Sequence, residues 1–134
     1  LYKTNLFALV GGGSTPKFPT KMVVIWDDYL GKITGEMTFK SEVKTAGSDR
    51  ISNYQYNKLH QCRIAIAIEN KIYVHNLQDL TLIYSVYTPP DPKGKTELFF
   101  SKLGLCLFSL NEVILAYPDK TKQGGIVIYN LGLI

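Results

Sequence analysis

The sequence is poor in the residues that most often bind metals or form crosslinks, with two cysteines and two histidines among 134 residues. Cys62 and Cys106 lie far apart, and no zinc-type spacing joins them to His60 or His75. Two isolated cysteines in a domain of this size are more often buried thiols in a reducing compartment than a disulfide, and the sequence leaves both open. We therefore expect a cytosolic protein without a metal or a cofactor.

Long apolar runs are also missing. No run approaches the ~18 residues that a membrane-spanning helix needs. The first residues, LYKTNLFALV, lack both an initiator Met and the basic, apolar and small-residue order of a secretory signal, so we expect the chain to start partway through a longer protein. Apolar residues make up 46% of the sequence, which is enough to build a core and excludes general disorder.

The formal net charge is modest, at +4, but lysines gather in predicted loops. The three pairs are Lys17 with Lys21, Lys93 with Lys95, and Lys120 with Lys122. Such pairs suit an anionic membrane or a nucleic acid. Ordinary solvated loops explain each pair more simply, and we expect no nucleic-acid partner.

The strongest pattern is the stretch 6–28, LFALVGGGSTPKFPTKMVVIWDD, in which a loop rich in glycine, proline and lysine joins two apolar strands. Similar hairpins follow at 63–77 and 112–131. The second strand of each hairpin ends on a ring followed by Asp or Asn, with intervals of 49 and 54 residues between the rings of Trp26, His75 and Tyr129. A period near 50 with several short strands predicts an all-β protein built from propeller blades.

Individual strands can be placed from their apolar content. Ile33 to Phe39 alternates apolar and polar residues, which predicts an outer strand with one exposed face. Ile64 to Ile68 alternates Ile with Ala, so isoleucines should fill one face while the alanines let a second sheet approach the other. Residues 45–61 show no useful periodicity and are predicted to be an insertion. The strands are predicted at 6–10, 21–26, 33–39, 64–68, 71–75, 82–86, 113–117 and 126–129.

Few residues suggest catalysis. Three glycines at 11–13 resemble a phosphate-binding loop, but such a loop should lead into a helix and this one leads into a strand. Asp27 and Asp28 are explained by turn chemistry, and no catalytic motif accompanies His75. Asp27, Asp28 and His75 are the only acid–base candidates, and we predict no catalytic residues and no enzyme activity.

The run ALVGGG-x-x-P-K-x-P-x-K-x-x-x-I-W-D-D, followed by GEMTFKSEVK, ENKIYVHNL, PDPKG, LAYPD and GGIVIYNL, resembles the PROPPINs, the WIPI-like seven-bladed β-propellers that bind phosphoinositides in autophagy. The resemblance covers nearly the whole chain, and its Trp-Asp-Asp version is most similar to one WIPI-like branch. It implies blade-two-like residues 1–39, blade-three-like residues 40–88 with the insertion 45–61, and a connector with an incomplete blade-four-like unit at 89–134.

The resemblance also implies where the sites lie. The Phe-Arg-Arg-Gly signature of lipid binding is absent from these residues, so the lipid site is expected outside them. Loops of the second and third blades bind partner proteins in this family, notably a large autophagy lipid-transfer protein. The positions that correspond to the partner-binding loop here are Lys17, Phe18, Pro19, Thr20 and Lys21. A rigid proline, an exposed aromatic ring and two cations suit a protein contact, although Pro19 also fits a purely structural turn.

The resemblance predicts a non-enzymatic, cytoplasmic protein, peripheral on autophagic or endosomal and vacuolar membranes, that recruits autophagy factors to phosphatidylinositol 3-phosphate. The alternative is a generic WD-repeat scaffold without lipid binding. Three partial blades cannot close a ring and would expose sheet faces and edges. Residues 1–134 expressed alone are therefore expected to self-associate.

Overall fold

The computed structural model describes residues 5–49, 63–90 and 114–131, and all of its regular elements are β-strands. The all-β prediction is confirmed. The first strand coincides with its predicted bounds, and most of the others extend or shift by one residue. In chain order, the strands are β1 (Leu6–Val10), β2 (Met22–Asp27), β3 (Lys32–Thr38), β4 (Val43–Asp49), β5 (Arg63–Ile68), β6 (Lys71–Asn76), β7 (Leu82–Tyr87), β8 (Ile114–Pro118) and β9 (Ile126–Asn130).

The strands form three antiparallel sheets, each built from neighbours in sequence. The first sheet has the order β1-β2-β3, the second β4-β5-β6-β7, and the third β8-β9. β3 is an edge strand of the first sheet within the described residues, as its alternating sequence predicts. Successive small up-and-down sheets are the arrangement of a β-propeller fragment.

Two apolar layers hold the sheets face to face, one on either side of β5. Ile64 and Ile66 are fully buried and face the first sheet. Ala65 and Ala67 face the third sheet, where Leu115 and Tyr117 meet them. The prediction from the Ile/Ala alternation is confirmed, because small alanines bring the third sheet close while the isoleucines fill the opposite layer. The layer against the first sheet also contains Val23, Ile25, Met37 and Val43, and the layer against the third contains Ile72, Val74 and Leu131.

Tyrosines extend the layer between the second and third sheets. The rings of Tyr84 and Tyr129 stack with centroids 4.4 Å apart, and the hydroxyl of Tyr84 lies 3.2 Å from that of Tyr117. Burial is the main cause that raises the pKa of the Tyr117 hydroxyl well above its ordinary value, and its hydrogen bond to Tyr84 adds to the effect. Tyr117 therefore stays neutral in alkali that ionises a free phenol.

β4 corrects the predicted extent of the insertion. Val43–Asp49 is a strand, although residues 45–49 are polar or small and the sequence predicts that an insertion begins at residue 45. The strand pairs antiparallel with β5 from Val43 opposite Ile68 to Asp49 opposite Arg63, with a register shift near Thr45. Backbone pairing to a strongly apolar neighbour needs no apolar pattern in the strand that joins it. The remainder of the predicted insertion lies outside the described residues, as do Cys62, Cys106, His60, Lys93 and Lys95.

The repeated rings occupy equivalent positions, as the repeat predicts. Trp26, His75 and Tyr129 are each the penultimate residue of the second strand of their hairpin. The Nδ1–H of His75 donates to the carbonyl oxygen of Leu80 at 2.9 Å, because a carbonyl oxygen can only accept. Its ring lies beside those of Phe39 and Tyr73, with centroids 6.0 and 6.4 Å away. His75 is therefore a structural residue in this fold.

A leucine from the second sheet fits against a glycine of the first. Leu80 lies in the turn between β6 and β7 and has a φ of 59°, in the left-handed region. A Cβ atom added to Gly35 in β3 would lie 2.6 Å from Cδ1 of Leu80 and 3.7 Å from Cγ1 of Ile25. The absence of a side chain at position 35 therefore makes room for Leu80.

Candidate functional site

The loop between β1 and β2, here called the crest (residues 11–21), is closed by a backbone approach that only glycine permits. A Cβ atom on Gly11 would lie 1.9 Å from the carbonyl oxygen of Phe18, far inside van der Waals contact. Gly13 has a φ of 81°, which also favours glycine. By contrast, a Cβ on Gly12 would meet no atom within 4 Å. Two of the three glycines thus shape the crest, which joins two strands and forms no phosphate-binding turn into a helix.

Backbone bonds tie the base of the crest to the connection between β3 and β4. The amide of Phe39 donates to the carbonyl oxygen of Lys21 at 2.8 Å, and the amide of Val43 donates to that of Thr20 at 2.9 Å. The Thr20 hydroxyl also donates to Glu42 at 3.4 Å, and Glu42 pairs with Lys44 at 3.3 Å. The crest is therefore a fixed loop that spans the first and second sheets.

The five predicted contact residues are contiguous, but their exposure differs. Lys17, Pro19 and Lys21 are exposed, whereas Phe18 and Thr20 are half-buried. The prediction of an exposed aromatic ring is therefore wrong for Phe18, whose backbone is held against Gly11. The amide of Met22 donates to the carbonyl oxygen of Pro19 at 3.1 Å, so Pro19 also takes part in the turn into β2. The crest presents one cation, Lys17, before the rigid Pro19 and a second, Lys21, after it.

Corresponding loops of the other sheets lie at the same end of the stack. Val43, which binds the crest, pairs with Ile68 at the end of β5, directly before the turn at 69–70. The carbonyl oxygen of Asn70 in that turn accepts from the amide of Thr88 at 2.9 Å. Next to Thr88, the ring of Tyr87 contacts the ammonium group of Lys120 from the β8–β9 hairpin. The crest, residues 69–70, residues 87–90 and residues 119–125 together form what we call the hairpin face.

One cluster on this face is not predicted by the sequence patterns. The Nζ atom of Lys71 lies 4.7 Å from the ring centroid of Tyr87, and that of Lys120 lies 5.4 Å from the same centroid. Lys71 opens β6, Tyr87 ends β7, and the two residues are paired in register. Lys120 comes from the next repeat, so the cluster exists only where two sheets meet. The contact between Lys71 and Tyr87 has a weak signal in the sequence, because a lysine begins one strand of a predicted hairpin and an aromatic residue ends the next. The contact with Lys120 has no such local signal.

The acid–base candidates are engaged locally. Asp27 accepts from the backbone amide of Leu30 at 3.0 Å and from the side-chain amide of Asn5, and the bond from Leu30 is the main cause that lowers its pKa. Asp28 accepts from the indole N–H of Trp26 at 3.5 Å. With His75 bonded to Leu80, each group has a structural partner. The turn interpretation is confirmed for Asp27, which accepts from a local backbone amide, whereas Asp28 accepts from a side chain.

Within residues 5–49, 63–90 and 114–131, no three His, Cys, Asp or Glu side chains are grouped as they would be around a metal ion. The described part of the chain also contains no helix that is both long and apolar enough to span a membrane.

Comparison with known proteins finds relatives that cover most of this chain. It is similar to "Autophagy-related protein 18e" of Arabidopsis thaliana, with 33% identity over 95 residues that make up 70% of the chain. It is also similar to "SVP1-like protein 2" of Emericella nidulans, with 31% identity over 121 residues or 90% of the chain. The protein of the same name from Saccharomyces cerevisiae is 36% identical over 78 residues, 58% of the chain.

The relatives are much longer than the matched region. The aligned residues span 22% of the Arabidopsis protein, 31% of the Emericella protein and 15% of the Saccharomyces protein. No family model matches the sequence.

Proposed function

We propose, from the support that these relatives give to the PROPPIN family, that the chain is part of a non-enzymatic propeller that binds phosphoinositides and acts in autophagy. In this proposal the propeller recruits autophagy proteins to membranes that carry phosphatidylinositol 3-phosphate. The observation that carries it is the similarity to an autophagy-related relative over 70% of the chain, together with stacked antiparallel sheets of the propeller kind. The finer assignments, to one WIPI-like branch and to blades two to four, are part of the same proposal.

The described residues fit a binding role better than a catalytic one. Asp27, Asp28 and His75 each have a local structural partner. The hairpin face instead presents a fixed crest and cations from all three sheets. Fixed loops on a rigid stack of sheets suit recognition, because ordering them on binding costs little entropy.

Membrane association is the first test. Full-length protein should float with vesicles that contain phosphatidylinositol 3-phosphate and remain behind with vesicles of phosphatidylcholine alone. The reason is that the proposed ligand is the phosphorylated headgroup, and its site is proposed to lie outside the described residues. Equal recovery with both vesicle types would contradict phosphoinositide recognition and favour a WD-repeat scaffold without lipid binding.

We assign partner contact to the crest, with Lys17, Phe18, Pro19, Thr20 and Lys21 as the contact segment. Its exposed members are Lys17, Pro19 and Lys21, and the half-buried Phe18 and Thr20 hold the loop in shape. Lys21 takes part in the fold through its backbone carbonyl, which leaves the side chain available to a partner. Exposed cations beside a rigid turn accelerate encounter with a partner of opposite charge.

Crest substitutions test this assignment separately from lipid binding. Changing Pro19→Ala together with Lys21→Gln should weaken capture of the autophagy lipid-transfer protein by about two- to fivefold, since one steering charge and the rigidity of the turn are lost. Pull-down with full-length protein measures capture, and a thermal melt measures folding. The matched control is Lys32→Gln. Lys32 is exposed and lies opposite Asp27 in the register of β2 and β3, at the end of the sheet away from the crest. If the melting temperature falls together with capture, the loss of capture would be explained by a structural role of the crest and not by partner contact.

A further inference from the structure

The seam between the second and third sheets carries a second set of cations on the hairpin face. The seam cluster consists of Lys71, Tyr87 and Lys120, and it shares no residue with the crest. Tyr87 is 57% exposed, and Lys71 also lies 4.8 Å from the ring centroid of Tyr73. Both ammonium groups are therefore held against an aromatic surface that solvent reaches.

The ring limits how far apart the two charges can be. Since the Nζ atoms lie 4.7 and 5.4 Å from one centroid, they are at most about 10 Å apart. A lysine over a tyrosine ring is attracted to the negative face of the ring, which favours this arrangement of two otherwise flexible side chains. Two like charges at this separation repel, and an anion placed between them removes that repulsion.

Among the described residues, no carboxylate forms an ion pair with Lys71 or with Lys120. Asp119, directly before Lys120, accepts from both the hydroxyl and the backbone amide of Thr121 at 2.7 Å. These two bonds, the side-chain one first, lower the pKa of Asp119 and keep its carboxylate turned into its own loop.

We infer that the seam cluster binds an extended acidic peptide segment of a partner protein, with carboxylates on alternate residues. In an extended strand, alternate side chains point to the same side and repeat about every 6.6 Å, a spacing within the limit of about 10 Å that the ring sets on the separation of the two Nζ atoms. The exposed ring of Tyr87 supplies an apolar surface beside the two charges. Recognition in this form needs two carboxylates on one face of the peptide and no fixed sequence between them.

A peptide fits the observations better than a flat anionic membrane. Glu69 is exposed two residues before Lys71, and Asp119 is next to Lys120, so the surface carries both signs of charge. A membrane would meet these carboxylates together with the lysines, whereas a narrow peptide can contact the two ammonium groups and the ring alone. The inference does not rest on the proposed function, because it uses neither the crest nor a phosphoinositide site.

Fluorescence anisotropy with full-length protein tests the inference. The probe is a labelled peptide of alternating Glu and Ser, and its matched control is the same peptide with Gln in place of Glu. The acidic peptide should bind more tightly, and binding should weaken as salt is added, since exposed charges are screened. Lys71→Gln and Lys120→Gln should each weaken binding by about two- to fivefold. Lys32→Gln, which removes the same charge away from the hairpin face, should leave the affinity unchanged.

Several results would overturn the inference. Equal affinity for the Glu and Gln peptides would show that no anion site exists. The same weakening by Lys32→Gln as by Lys71→Gln would show that net charge alone is sensed. Binding to phosphatidylserine vesicles but not to the acidic peptide, lost in Lys120→Gln, would assign the cluster to a lipid surface. Circular dichroism of each variant confirms that the comparison is made between folded proteins.

Discussion

Ile66→Ala is expected to lower the free energy of unfolding of the full-length protein by about 2–5 kcal/mol. Ile66 is fully buried between the first and second sheets, in the same layer as Val23, Ile25 and Met37. Truncation removes apolar contacts and leaves a cavity that two hydrogen-bonded sheets cannot readily close. Chemical denaturation followed by circular dichroism measures the loss, and Ile66→Val should cost only about 0.5–1.5 kcal/mol because it removes a single methyl group.

Ile33 supplies a matched control for the same chemical change. It lies on β3 and is 39% exposed, so Ile33→Ala should cost about 1 kcal/mol or less. Amide hydrogen exchange adds a local readout, since Ile66→Ala should speed exchange in β5 and its neighbours first. An Ile66→Ala loss no larger than that of Ile33→Ala would show that the layer between the first two sheets is not a packed core.

Gly11→Ala and Gly12→Ala are expected to have opposite signs, although the two glycines are adjacent. The new methyl group at position 11 would lie 1.9 Å from a backbone carbonyl oxygen, so the crest must move and the protein should lose about 1–3 kcal/mol. At position 12 there is open space and the φ angle is not positive, so the folded state accepts a methyl group without strain. Because alanine lowers the conformational entropy of the unfolded chain, Gly12→Ala should stabilise the protein by about 0.4–1 kcal/mol.

The pair also separates crest shape from crest chemistry. Thermal melts of both variants give the sign of each stability change, and capture of the autophagy lipid-transfer protein reports the shape of the loop. Gly11→Ala should reduce capture although no contact side chain is altered, whereas Gly12→Ala should leave it intact. Normal capture by a destabilised Gly11→Ala protein would contradict the assignment of partner contact to the crest.

Local patterns were sufficient to predict most strands and one feature of their packing. The Ile/Ala alternation of β5 predicts which side carries bulk and which permits close approach, because successive side chains of a strand point to opposite faces. β4 could not be predicted in full, since its polar residues are held by pairing with β5, and pairing depends on a neighbour distant in sequence.

The candidate site shows a similar division. A glycine and proline-rich loop could be identified from composition, and its exposed lysines follow from that. The half-buried state of Phe18 could not be predicted from composition, because it depends on a backbone approach to Gly11 across the loop. The seam cluster was equally inaccessible, since Lys120 reaches Tyr87 from another repeat and no local pattern encodes contacts between repeats.

Leu80 and Gly35 have a consequence for how such a repeat protein can diverge. The turn leucine of one repeat enters a space that exists only because the preceding repeat has a glycine in its outer strand. The two positions are therefore coupled across the boundary, because a side chain at position 35 would require the Leu80 side chain to shift. Recombination that reordered the repeats would have to keep a glycine, or another way to seat the turn leucine, at each such boundary.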